Sequence, residues 1–279
     1  MTDKNSGCKI STWNINSVRL RLPSVETYLK QDRPDILCLQ EIKCQTDQFP
    51  YKAFEEMGYP HMHVSGQKGY HGVATVSRHP LTPLDADFCP HGEARHVSSR
   101  ISFGKQSFEL HNFYVPAGGD IADADKNPKF KHKLEFLDIM IAYFKDRRER
   151  GDPGHVIVGD LNIAPGEHDV WSHKQLLRVV SHTPIEVEYM ARLMRSHDFT
   201  DCSRLHIPDD EKLYSWWSYR ARDVFKSNRG RRLDHIWVSP ALKPMAKKPG
   251  RGGFKIHTDC RIWEKPSDHV PMTQILDFS

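Results

Sequence analysis

The chain has 279 residues, 38% hydrophobic and 27% charged, a balance that excludes global disorder and allows one large domain or two small ones. Its 40 basic and 36 acidic residues give a net charge of +4, too small to name a partner. No run of 18 apolar residues occurs, residues 1–9 lack the apolar segment of a secretory signal, and the 6 cysteines are scattered without C-x-x-C spacing. The expectation is a reduced, cytoplasmic protein without a membrane span, a disulfide scaffold or a thiolate zinc site.

In chain order, short apolar alternating runs predict strands at 9–13, 36–40, 73–77, 97–101, 108–114, 155–158, 233–238 and 272–276. Three helical patterns interrupt them. The first covers 22–29 and ends before Pro34. The second carries Phe130, Leu134, Leu137, Ile141 and Phe144, stepping 4, 3, 4, 3 along one stripe. Pro184 opens the third, with Val187, Met190, Leu193 and Met194 facing the core. Strands often follow strands directly, which argues against a regular βαβ chain and for two sheets with helices outside. No linker or repeat divides the sequence, so 1–279 reads as one domain whose first few residues form a flexible tail.

Basic residues cluster. The segment 220–232 holds six against one acid, 243–255 holds five with none, and 126–133 holds four lysines. Together they suggest a polyanion-facing side; any one alone is more often a solvated loop. Acids and amides instead end apolar strands: Asn14, Glu41, the pair Asp160 and Asn162, and Asp268 with His269 just before the last strand. A lone case is usually a turn or a cap. Several on separate strands make a carboxylate–amide cluster if the strand ends meet. Hard oxygen donors without thiolate suit Mg²⁺ or Mn²⁺, which would also offset the repulsion between carboxylates. Asp160 and Asn162, two positions apart, point the same way if the segment stays extended.

Five ordered motifs carry a resemblance. They are Trp13-Asn14-Ile15-Asn16-Ser17-Val18-Arg19, Leu39-Gln40-Glu41-Ile42-Lys43, Gly159-Asp160-Leu161-Asn162, Arg232-Leu233-Asp234 and Pro266-Ser267-Asp268-His269. With Gly69-Tyr70-His71-Gly72-Val73 and Asn112-Phe113-Tyr114-Val115-Pro116 between them, they resemble the exonuclease III family of abasic-site endonucleases over about residues 9–278. The resemblance implies an α+β fold, a four-layer sandwich of two packed, mainly antiparallel sheets flanked by helices. It implies cleavage of double-stranded DNA on the 5′ side of an abasic site to leave a 3′-hydroxyl. It also implies 3′→5′ exonuclease action and removal of 3′-blocking groups, in base excision repair, by a monomer using Mg²⁺ or Mn²⁺.

The same resemblance assigns roles. Glu41 is the central metal ligand and Asp268 also faces the metal, with Asn14 and Asn16 helping through bound waters. Asp160 holds or activates the attacking water and Asn162 orients it. Tyr114 donates to a phosphate oxygen. His269 bonds or protonates the phosphate, with Asp234 fixing its tautomer; whether Asp160 or His269 is the base stays open. Arg19, Lys43, Lys68, Gly69, Tyr70, Asn228 and Arg231 contact DNA, while Trp216 and Leu233 line an apolar sugar pocket. Three departures stand out: Asn16 where other members carry Asp, Ala117 where they often carry Asn or Gln, and Arg231 where some carry a bulky apolar residue. The rival expectations are a lipid- or inositol-phosphate phosphatase of the same superfamily and a nucleic-acid-binding module without catalysis.

Overall fold

Fourteen strands form among the described residues, which in this computed structural model are 7–151, 154–220, 224–246 and 253–279. The expected N-terminal tail lies outside them, as do Arg222 and the Lys247, Lys248 and Arg251 cluster of the 243–255 run. In order the strands are β1 (Gly7–Asn14), β2 (Ile36–Gln40), β3 (His61–Ser65), β4 (Val73–Ser77), β5 (Leu81–Leu84), β6 (His96–Phe103) and β7 (Gln106–Tyr114). They continue with β8 (His155–Asp160), β9 (Thr200–Asp201), β10 (Trp216–Trp217), β11 (Gly230–Arg231), β12 (Asp234–Val238), β13 (Phe254–Ile256) and β14 (Met272–Asp277). The helices are α1 (Leu22–Asp32), α2 (Tyr51–Glu56), α3 (Pro128–Arg150), α4 (His173–Leu176), α5 (Pro184–Ser196), α6 (Cys202–His206), α7 (Val224–Ser227) and α8 (Lys243–Ala246). None is long and apolar enough to cross a membrane.

Two six-stranded sheets result, in the orders β13-β14-β1-β2-β4-β3 and β5-β6-β7-β8-β12-β9. Each is antiparallel except at one central pair, β1 with β2 and β7 with β8. Their inner faces pack together: Ile10, Cys38 and Met272 of one meet Leu110, Val156, Val158 and Ile236 of the other. Helices cover the outside, so the four-layer sandwich expected from the sequence is the observed fold. Leu137 and Phe144 of the 130–144 stripe, with Phe136 and Met140, seat α3 against Phe113, Ile157 and Trp237, and Met190 and Leu193 of α5 join the same cluster, while Phe130 and Leu134 pack with Val180. On the other sheet α1 places Val25, Tyr28 and Leu29 against Trp13, Leu37 and Leu39. Each fully buried side chain of this kind contributes roughly 1.5–3 kcal/mol. Local signals set the helix ends. Asn127 accepts from the Lys129 N–H ahead of Pro128, and Gly151 closes α3 at φ 67°. Thr183 and Glu186 form a capping box on α5.

All eight expected strands and all three helices are present, with bounds shifted by a few residues. The half-exposed β3, although Met62 and Val64 alternate with polar neighbours, and β5, interrupted by Pro83, were not expected. Two basic residues are placed differently from a solvated, polyanion-facing side. Lys133 of the 126–133 run is fully buried and paired with Glu186. Arg232 of the 220–232 run is buried between Asp169 (2.7 Å) and Asp201 (2.6 Å). Burial of such charges is tolerated only when they are paired.

Burial would raise the Asp169 carboxyl, but Arg232 and then Arg204 outweigh it and hold the group well below the usual carboxylate range. A depressed carboxyl gives its full stabilisation above its unfolded pKa, about 3.9, and loses it as acid titrates the folded state. Arg232→Met strips Asp201 of its buried guanidinium and leaves Asp169 with Arg204 alone. Chemical denaturation should show a loss of about 3–5 kcal/mol at neutral pH. The gap from wild type should narrow as the pH falls below about 4. A gap that is small at neutral pH, or that widens in acid, contradicts the pairing.

Candidate active site

Because β1 and β2 run parallel, Asn14 ends beside Gln40, with Glu41 next; because β7 and β8 run parallel, Tyr114 ends beside Asp160. Packing of β1 on β8 and of β2 on β7 brings the two pairs of ends to one rim. The antiparallel β12 starts there with Asp234 opposite Asp160, and the turn into β14 adds Asp268 and His269. Backbone at this rim is unusual. Asn16, Ser17, Glu41, Lys43 and Asn162 all have φ between 47° and 87°. Such left-handed non-glycine residues cost about 1–3 kcal/mol each and persist where surroundings over-determine them. Here Ser17 N–H donates to Glu41 O at 2.7 Å and Asn162 N–H to Asp160 Oδ1 at 2.9 Å. Gly159 has φ 133°, and a Cβ there would meet Phe113 O at 2.0 Å, so only glycine lets β8 approach β7 before Asp160.

Glu41 accepts from Asn14 Nδ2 and from the Tyr114 hydroxyl, both at 2.9 Å on Oε1, while Lys43 Nζ lies 2.8 Å from Oε2. Lys43 also donates to Asn16 Oδ1 at 2.6 Å. Asn16 Nδ2 donates to Asp268 Oδ1 at 3.1 Å, and the Trp216 indole N–H to Asp268 Oδ2 at 2.9 Å. Burial raises the Glu41 carboxyl, yet Lys43 and Asn14 outweigh it and leave it below its usual range. Asp268 follows the same pattern, with His269, Trp216 and Asn16 outweighing burial. Both carboxylates are thus ionised, and the Lys43 ammonium stands among oxygen donors where a cation is favoured. The donor set fits a hard divalent ion. Asn14 ties the two carboxylates together: its amide nitrogen bridges Glu41 and Asp160 at 2.9 Å each, and its oxygen accepts from Asn16 N–H.

A second chain of groups runs through His269. Its Nδ1 bonds Asp234 Oδ2 at 2.7 Å, and its Nε2 lies 3.7 Å from Asp160 Oδ2. Ser215 Oγ–H also donates to Asp234 Oδ2, and Leu233 and Asp234 N–H donate back to Ser215 Oγ. Burial opposes charge on His269, but Asp234 and Asp160 raise it to about 10. Burial pushes Asp160 up to about 7, opposed by His269 and reinforced by Asp234. Tyr114 is pushed well above 10 by burial, Glu41 and Asp160, so its hydroxyl stays a donor.

The expected DNA contacts ring this rim unevenly. Lys43 N–H donates to His71 O, which brings the exposed Lys68-Gly69-Tyr70 loop beside Glu41; Tyr70 is 72% exposed. Arg19 is exposed one turn from Asn16, and Asn228, also exposed, accepts from Trp217 Nε1. Leu233 is buried in one apolar cluster with Ala164, Val170 and Leu176, and the half-buried Trp216 packs on it. Arg231 lies over the Trp216 ring at 5.3 Å and donates to Val180 O and Ser181 Oγ. Sequence reasoning missed Ser215 and Lys133. Lys133 Nζ donates to Asn162 O at 2.9 Å from inside α3, and so holds the Asn162 turn. Neither has a local signal, since a serine before Trp216 and a lysine in a basic run look ordinary.

Comparison with known proteins matches this arrangement. The endonuclease/exonuclease/phosphatase family pattern matches residues 11–269. A relative named exodeoxyribonuclease III, from Haemophilus influenzae, is 32% identical over 273 residues, covering 95% of this chain and 98% of its own. Among solved structures, a 3′ phosphatase from Neisseria bound to a product DNA hairpin superposes with TM-score 0.83 at 33% identity, covering 96% of this chain and 98% of its own. An AP endonuclease from Archaeoglobus fulgidus gives TM-score 0.84 at 31% identity over 96% and 99%. Since the match runs through every strand end that builds the rim, the chain belongs to the endonuclease/exonuclease/phosphatase family, in its exonuclease III branch.

Proposed function

We propose that this chain is a single-domain, monomeric, cytoplasmic repair nuclease that uses Mg²⁺ or Mn²⁺ to cut double-stranded DNA on the 5′ side of abasic sites. It leaves a 3′-hydroxyl and also clears blocked 3′ ends. The observation that carries the reading is the placement of a cationic His269 and the Asp160 carboxyl, 3.7 Å apart, beside the ionised Glu41 and Asp268. The names of the relatives, an exodeoxyribonuclease, a 3′ phosphatase solved with DNA and an AP endonuclease, support DNA over lipid phosphate as substrate.

Glu41 and Asp268 would hold the metal, with Asn16 at their side. A divalent cation there supplies positive charge to the phosphate oxygens as the bond breaks. Around it the protein's own groups divide the work. Asp160, with its carboxyl near 7, takes the proton of a water that Asn162 helps to position. His269, charged at neutral pH, donates from Nε2 to a phosphate oxygen while Asp234 keeps Nδ1–H in place. This charge pattern favours Asp160 over His269 as the proton acceptor. The Tyr114 hydroxyl adds a second donor. Trp216 over Leu233 offers the apolar wall that an extruded, baseless sugar would meet. Arg19, Lys43, Lys68, Gly69, Tyr70 and Asn228 are placed for the flanking backbone, and Arg231 supports Trp216.

Glu41→Ala should lose cleavage of an abasic duplex by orders of magnitude, as EDTA should for the wild type. Full activity of the variant at millimolar Mg²⁺, or turnover of an inositol or lipid phosphate in preference to the duplex, would sink the reading. Asp160→Asn should lower kcat by about 10²–10⁴ while DNA affinity is kept, since its work lies in the chemical step. Equal loss of binding would make Asp160 structural. Asp234→Asn removes the charge that raises His269, so the imidazole should lose its proton at lower pH. The alkaline limb of kcat against pH should then move downward; an unmoved limb means that His269 is not the group that must stay protonated.

A further inference from the structure

Five residues back along β7 and β8 from the catalytic rim, roughly 16 Å at strand spacing, lies a second group of metal-type ligands. Glu109 and His111 alternate onto the same face of β7, and His155 stands opposite Glu109 on β8. That face looks toward α3, away from the other sheet. All three side chains are buried. His111 Nε2 is 3.9 Å and His155 Nδ1 is 3.7 Å from the same oxygen, Glu109 Oε2, and the three ligand atoms lie within 4.8 Å of one another.

One polar gap remains in this cluster. His96 Nε2 and His111 Nδ1 share a hydrogen bond at 3.2 Å. Neither His111 Nε2 nor Glu109 Oε2 has a hydrogen-bond partner among the described residues. Buried polar atoms are normally satisfied, and a cation between these two would satisfy both.

We propose that Glu109, His111 and His155 form a buried structural site for a zinc-class divalent ion, separate from the catalytic metal. Two imidazole nitrogens and one carboxylate oxygen are a zinc donor set, and a soluble ligand such as water completes the tetrahedron. Bonds of about 2.0–2.1 Å put tetrahedral ligands about 3.4 Å apart, close to the 3.9 Å and 3.7 Å that separate the two imidazoles from Glu109 Oε2. The outer shell is already arranged: Arg100 donates to Glu109 Oε1 at 2.9 Å, and His96 orients the His111 ring. Phe144 packs 5.1 Å from the His111 ring and 5.9 Å from the His155 ring, giving an apolar wall. The ion would clamp the starts of the two parallel strands whose far ends carry Tyr114 and Asp160.

The test strips the purified chain of metal and adds back Zn²⁺ in millimolar Mg²⁺. The wild type should retain one equivalent through gel filtration and melt at a higher temperature. X-ray absorption at the zinc edge should report two imidazoles and a carboxylate. His111→Gln should weaken retention at least tenfold, while Glu41→Ala should keep it. Zinc that is not retained, that leaves with Glu41→Ala, or that shows only oxygen ligands overturns the proposal. The wild-type spectrum decides the case even where His111→Gln does not fold.

Discussion

Four carboxylates, Glu41, Asp160, Asp234 and Asp268, crowd one rim of this molecule, and much of the architecture around them offsets their mutual repulsion. In a low-dielectric setting that repulsion would protonate some or unfold the rim. Each is met by a specific counterpart: Lys43 for Glu41, His269 for Asp234, the Asn16 amide and Trp216 indole for Asp268, and Asn14 between Glu41 and Asp160. The balance is incomplete by design of the fold. Asp160 has the weaker compensation and is pushed up to about 7, while His269, between two acids, is pushed up to about 10. Two groups with opposite shifts, side by side, are what acid–base work at neutral pH requires.

The sandwich makes that crowding possible. A purely antiparallel sheet would alternate strand ends between its two edges, so neighbouring ends would lie far apart. The single parallel pair at the centre of each sheet puts two adjacent C-terminal ends on the same side. Face-to-face packing then stacks the two pairs. Left-handed backbone at Asn16, Glu41 and Asn162 turns the chain sharply after the strands, so side chains point across the rim and not along it.

Buried ion pairs away from the chemistry brace the same rim. Lys133, reaching from α3, joins Glu186 of α5 to the backbone of Asn162. Arg232 ties Asp169 and Asp201 together immediately before Leu233 and Asp234. Such pairs add little net stability compared with apolar packing, but removing one partner is costly. Both therefore fix the position of loops whose displacement would separate the groups at the rim.

Much of this was legible in the sequence, because local rules govern it. Period-2 runs marked the eight central strands, the 4, 3, 4, 3 stripe marked α3, and acids at strand ends marked Glu41, Asp160 and Asp268 before any geometry was known. Ordered motifs made the family recognisable. What no local rule could supply was partnership across the chain. A lysine at 133 and an arginine at 232 look like solvated charges until a carboxylate from another element closes over them. No local pattern announces that Asn14 bridges Glu41 to Asp160, 146 residues away. Glu109, His111 and His155 look like unrelated polar residues on two strands. Only the register of β7 against β8 puts them on one buried face. Sequence determines which residues can carry charge and which backbone they prefer; the tertiary structure alone decides which charges are desolvated together, because burial and pairing depend on distances between elements far apart in the chain.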